Sequence, residues 1–156
     1  MKLKDFYQKA VATGLKNDLR PPEEISRLLL AEQEKYDKLS LEDKETFDLD
    51  SLFNPYADSR ILTGSPEVEV KRLMAGIDME VGEVLLAYVL NKEQSKKFDL
   101  ILAHHPEGRA LAQLYRVMGL QVDLFIKAGV TPSLAEQLME KRMGEVERRF
   151  LPLNHN

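Results

Sequence analysis

FDLILAHHPEG, residues 98–108, is an apolar run that turns polar within two residues. Phe98, Leu100, Ile101 and Leu102 have the length and character of a strand buried on both faces, and His104 and His105 stand where that character stops. Pro106 has no amide to give to a β-ladder and biases its predecessor away from helix, so the strand is expected to end here with both imidazoles near its carboxyl end. Open α/β sheets place their ligand sites at that edge.

Upstream, residues 68–78 (VEVKRLMAGID) read as a second strand, apolar at Leu73, Met74, Ala75 and Ile77 and ending in Asp78. Between the two, Val81, Val84, Leu85, Tyr88 and Val89 recur at helical spacing, which predicts a helix from residue 80 to about 96, its start favoured by Glu80 and Glu83. Strand, helix, strand over this length is a βαβ unit with a right-handed crossover and parallel strands. Parallel strands end on one edge of the sheet, so Asp78 and the pair His104/His105 are expected to face the same crevice. Such nitrogen and oxygen donors suit zinc, iron, manganese, nickel or cobalt. Neighbouring histidines leaving a strand point in different directions, so each can serve one ion of a two-metal site with the ions roughly 3.5–4 Å apart. Other roles stay open: paired histidines also occur as structural or surface residues, and Asp78 equally suits capping the helix that follows. Glu107 and Arg109 are either substrate contacts or plain loop charges.

The rest of the chain is helical in pattern. Leu3, Phe6, Tyr7, Ala10, Val11 and Leu15 make one apolar face, and Pro21-Pro22 with Glu23 and Glu24 open a second helix carrying Ile25, Leu28, Leu29 and Tyr36. Together they predict a packed helical hairpin, with a partner-binding arm as the other reading. From 41 to 66 the pattern loosens into a linker or wrapping segment. Its acidic residues Glu42, Asp43, Glu45, Asp48 and Asp50 lack calcium-loop spacing and read as surface solvation. Beyond Gly108, helical patterns run over residues 110–118 and 122–126, closed by Gly129, and Thr131-Pro132 opens another to about 149. The final LPLNHN makes His155 a candidate third ligand. The expected fold class is α/β: a βαβ-containing parallel or mixed sheet with flanking helices and an N-terminal helical hairpin. Residues 1–66 form the extension and linker, and 67–156 the metal-site lobe.

Composition narrows the function. With 156 residues and 44% hydrophobic content the chain can bury a core. Its 22 Lys and Arg against 26 Asp and Glu, a formal charge of -4, argue against a dedicated nucleic-acid binder, which needs a basic face. With no cysteine, disulfides and thiolate metal sites are excluded, leaving imidazole, carboxylate, carbonyl and water as ligands. Charges interrupt the N-terminal apolar residues, and no stretch reaches membrane-spanning length, so a soluble, cytoplasmic protein is expected.

The strand ending in AGID, the helix after it and FDLILAHHP together resemble the N-terminal half of the Nif-three-like dinuclear metal centre proteins, whose hallmark is an apolar strand running into His-His-Pro. The resemblance covers residues 68–156, and the helices before it look like the N-terminal extension of a longer branch. It implies an α/β fold of two related lobes, of which 67–156 is the first, assembled as a homo-oligomer, a toroidal hexamer. It also implies two divalent metal ions as cofactors and ligand roles for His104 and His105. Two departures stand out. The family's aspartate ligand has Asn154, His155 and Asn156 near its expected place, and the late His-x-x-x-Glu element does not occur in this sequence. Either the chain is half of a longer protein or another subunit completes the site. The function implied is that of a metal-dependent hydrolase acting on a nucleotide-like or phosphoester small molecule; the alternative is a non-catalytic, metal-stabilised binding or regulatory protein.

Overall fold

Two strands at the middle of the chain organise the site, and helices take most of the remainder. The computed structural model describes residues 1–93 and 97–150. Helix α1 (Leu3–Asn17) and α2 (Pro22–Lys38) lead into the short α3 (Leu41–Thr46) and a 3-10 turn (Leu49–Leu52). Strand β1 (Leu73–Gly76), α4 (Val81–Glu93) and β2 (Leu100–Ala103) follow, then α5 (Gly108–Ala112), α6 (Leu114–Val117), α7 (Gly119–Lys127) and α8 (Pro132–Phe150).

The predicted strand–helix–strand order is present, and β1 and β2 pair in parallel with Leu73 opposite Leu100 and Gly76 opposite Ala103. Both strands are shorter than expected. Residues 66–70 turn instead to the N-terminus: Leu3 and Lys4 donate their amides to Val68 and Pro66, Val70 donates to the Met1 carbonyl, and Lys2 bridges Glu69 in antiparallel fashion. Lys2 and Lys4 pair with Glu67 at 2.7 and 2.6 Å in the open. At the entry to the sheet Asp99 holds β1 in place, its Oδ2 accepting the amides of Lys71 and Arg72, each at 3.0 Å. These two donors hold its carboxyl below the usual range. Asn91 ties the end of α4 to β2 by exchanging two hydrogen bonds with Phe98.

The sheet differs from the expectation of burial on both faces. Leu73, Ile101 and Leu102 are each between 37 and 39% exposed. On α4 Ala87 is buried, while Val81, Val84, Leu85, Leu86 and Tyr88 all face solvent. A helix apolar on every side is normally buried on every side. Here a large apolar surface stands open.

Helices α1 and α2 anchor chiefly on the segment between them and the sheet rather than on one another. Tyr7 of α1 donates to Asp50 Oδ2 at 3.0 Å and accepts from Asn54 Nδ2 at 2.8 Å; burial pushes its phenol up to about 12. Its ring meets Phe53 edge-on at 6.0 Å. Gly14 admits Tyr56, since a Cβ there would lie 2.9 Å from the ring, and the Tyr56 hydroxyl reaches Asp18 Oδ2 at 2.8 Å. Helix α2 leans on the 3-10 turn, and its Tyr36 stacks against Phe47 at 5.1 Å. Residues expected to be a solvated linker are thus the hub of the N-terminal part. Asn54, 1% exposed, makes three side-chain hydrogen bonds, and Arg60, its side chain 2% exposed, is held by Asp48 and by the carbonyls of Tyr56 and Ser59.

The C-terminal helices pack on α8, which buries Ala135 and Met139 against α5, α6 and α7. Gly129 closes α7 as expected. Its φ of +96° lies in the left-handed region, and the bonds from Gly129 and Val130 back to Ile126 and Phe125 complete the cap.

Candidate metal centre

The register of the parallel pair carries beyond the strand ends and builds the site. His104 donates its amide to Gly76 at 2.9 Å and His105 donates to Ile77 at 2.8 Å, so the backbone stays zipped for two residues after β2. Asp78 and His105 are 27 positions apart, the same offset as Leu73 and Leu100, and end side by side on the sheet edge. Asp78 Oδ1 lies 2.7 Å from His105 Nδ1. The His104 and His105 rings follow one another at 5.2 Å between centroids, tilted by 34°. The expectation that the carboxylate and the imidazoles meet at one edge is therefore realised for Asp78 and His105, with His104 adjacent.

A carboxylate on Nδ1 fixes the imidazole tautomer. In the neutral ring a carboxylate accepting at Nδ1 places the proton there and leaves Nε2 its lone pair for a ligand. Both side chains are more than half exposed, at 57% for His105 and 62% for Asp78, so the free nitrogen is open to approach. The contact that Asp78 makes is the one to the His105 ring. The first turn of α4 is served by Glu83, whose carboxylate accepts the Glu80 amide at 3.0 Å. Behind the site, Gly76 makes room for the buried Met79, whose sulfur would lie 2.6 Å from a Cβ at residue 76.

The other candidates lie elsewhere. Arg109 is drawn off to the wrapping segment, donating to the Ile61 carbonyl at 3.0 Å. Glu107 sits at the start of α5 without a side-chain capping bond. His155 falls outside the described residues. Among the described residues no three His, Asp or Glu side chains form a group able to hold a metal ion. In kind two ring nitrogens and a carboxylate suit a transition metal; in number they fall short of a coordination sphere. Among the same residues no helix is long and apolar enough to cross a membrane.

The Asp99 clamp and the Asn54 hub are the polar features that sequence reading missed. Asn54-Pro55 was legible as a turn signal, but nothing local marked its side chain as buried. Comparison with family models, with curated proteins and with solved structures finds no match to this chain.

Proposed function

We propose that the chain is a divalent-metal-binding protein of the Nif-three-like kind, holding its ions through His104 and the Nε2 of His105. Asp78 acts as the orienting carboxylate. The observation that carries this reading is the 2.7 Å contact between Asp78 Oδ1 and His105 Nδ1 at the carboxyl edge of a parallel strand pair. A carboxylate bonded to the far nitrogen of a ligating imidazole is the usual support of such a ligand, fixing its orientation and raising its basicity. The remaining ligands come from outside the described residues, from further chain or from another copy. The open apolar faces of β1, β2 and α4 support the same picture, an α/β lobe covered by more structure in a homo-oligomer.

The reaction class we propose is metal-dependent hydrolysis of a nucleotide-like or phosphoester small molecule. A bound divalent ion supplies Lewis-acid polarisation of the electrophile and acidifies water. The chain's own part is to hold His105 in one tautomer and to present both rings on a backbone pinned by Gly76 and Ile77. The lack of a late His-x-x-x-Glu element in the sequence favours a second reading, a non-catalytic, metal-stabilised binding or regulatory protein.

Metal content of the purified protein decides the shared premise. Stoichiometric metal that disappears in His104→Ala and His105→Ala supports both readings, and unchanged content in either variant removes them. Turnover of a nucleotide and phosphodiester panel then separates the two: metal-dependent hydrolysis supports the enzyme, and none supports the binding role.

A further inference from the structure

Away from the histidines, the N-terminal and C-terminal helices stand apart over a groove of about 1590 Å³. One wall is a single face of α2, carrying Glu24, Leu28, Ala31, Glu32 and Lys35 at spacings of three to four residues. The opposite wall is a single face of α8, carrying Glu136, Glu140, Met143, Gly144 and Glu147. The cluster of Phe47, Asn54 and Arg60 lies along the same groove with Leu120 and Val122 of α7. Two long helices thus turn mixed acidic and apolar faces toward one another across space. The α8 wall runs from Glu136 to Glu147, about three helical turns or roughly 17 Å.

The charge around the groove is one-sided. With the pairs Arg60–Asp48 and Lys35–Glu32 set aside and Arg20 held by Asp18, Glu24, Asp43, Asp123, Glu136, Glu140 and Glu147 stand against Arg109 and Arg116. At one end Glu24 and Asp123 meet as like charges, and burial, reinforced by Glu24, raises the Asp123 carboxyl above its ordinary pKa.

We propose that the groove between α2 and α8 is a docking site for a basic amphipathic helix of three to four turns, supplied by a partner protein. Its apolar stripe meets Leu28, Leu120 and Met143, and its lysine or arginine flanks meet Glu24, Glu32, Glu136, Glu140 and Glu147. This is helix-in-groove recognition with the negative charge on the receptor. It is independent of the metal site.

The test uses a fluorescein-labelled 14-residue peptide of leucine and lysine in helical amphipathic order, with a leucine and glutamate peptide of the same pattern as control, read by anisotropy on the full chain. The expected result is saturable one-to-one binding of the lysine peptide alone, weakened by salt. Glu136→Gln/Glu140→Gln/Glu147→Gln is expected to weaken it about tenfold. Met143→Gln tests the apolar floor without adding charge and is expected to weaken it severalfold, and circular dichroism confirms that both variants fold. No binding, or binding that both folded variants leave unchanged, overturns the proposal, since the peptide then lies elsewhere or nowhere. Concentration-dependent self-association that Met143→Gln abolishes also overturns it, because the groove is then filled by a second copy.

Discussion

The segment around Asn54 and the β1–α4–β2 unit solve opposite problems. The first is weakly apolar in sequence yet locked, because the buried side chains of Asn54 and Arg60 find their partners in half-buried Tyr7 and partly exposed Asp48. The second is strongly apolar yet open, with Leu85 58% and Val81 84% exposed on α4. Hydrophobic content therefore does not locate the rigid part of this molecule. Completed hydrogen bonds do, because a buried polar group either finds its partners or costs the fold their desolvation. The open unit carries the site because its backbone ladder, rather than its side-chain burial, positions the histidines.

The sharpest way to break this contrast is to strip the site. His104→Ala/His105→Ala is expected to abolish metal binding while leaving the thermal unfolding midpoint of the metal-free protein unchanged, since neither ring is buried. A large drop in stability, read by circular dichroism, would show that the rings are packing residues and that the site is structural. Asn54→Ala is the mirror experiment. It leaves the Tyr56 amide without its acceptor, while the Ser59 carbonyl keeps Tyr7 and Arg60, and is expected to cost about 2 kcal/mol by urea unfolding, with metal content untouched. A cost below about 1 kcal/mol would mean that water replaces the side chain and that the segment is the solvated linker its composition suggests.

Acid sharpens the comparison, because the N-terminal part holds a charge pair on which its stability depends. The Arg20 guanidinium, 2.8 Å away, is the main cause holding the Asp18 carboxyl at about 2, and the Asp18 side chain is 1% exposed. A carboxyl depressed in the folded state contributes stability that is fully present above its unfolded pKa and is lost as pH falls toward the folded value. The amount at stake is about 2.5 kcal/mol between roughly pH 5 and pH 2. Asp18→Asn is expected to flatten that part of the stability profile. Asp123 works in the opposite sense, since its raised pKa favours the fold as the pH falls.

At the site, Asp78→Asn keeps the shape and weakens the charge on His105 Nδ1. Metal affinity is expected to fall about tenfold while both histidines still bind, as measured by competition with a chelator. An unchanged affinity would leave Asp78 as a bystander to the ring it touches.

The sequence made the site more legible than the packing. Period-3.6 stripes marked α1, α2, α4 and α8, and an apolar run before His-His-Pro marked β2, because each signal is local. That the strands run parallel and end on one edge also followed from the strand-helix-strand order, whereas the register that sets Asp78 against His105 did not. What could not be read was which polar residues go inside. Asp48, Asp50 and Arg60 look alike in a charged stretch, and only the folded chain pairs two of them and gives the third to Tyr7. Nor could residues 68–70 be assigned to the N-terminus rather than to β1, because a ladder partner lying nearly 70 positions away leaves no local mark.

The smallest effect on folding tests the open unit most directly. Leu85→Asp on the solvent side of α4 is expected to change the unfolding free energy by no more than about 0.5 kcal/mol, because an exposed side chain has little packing to lose. If copies of the chain cover this face, as proposed, the same change reduces the assembly in size-exclusion and sedimentation measurements by burying a carboxylate at the contact. The two readouts separate a core residue from an interface residue. A loss of several kcal/mol in the monomer would place Leu85 inside the lobe, whereas a loss of assembly with stability intact would identify α4 as the face through which the β1–α4–β2 unit meets its neighbour.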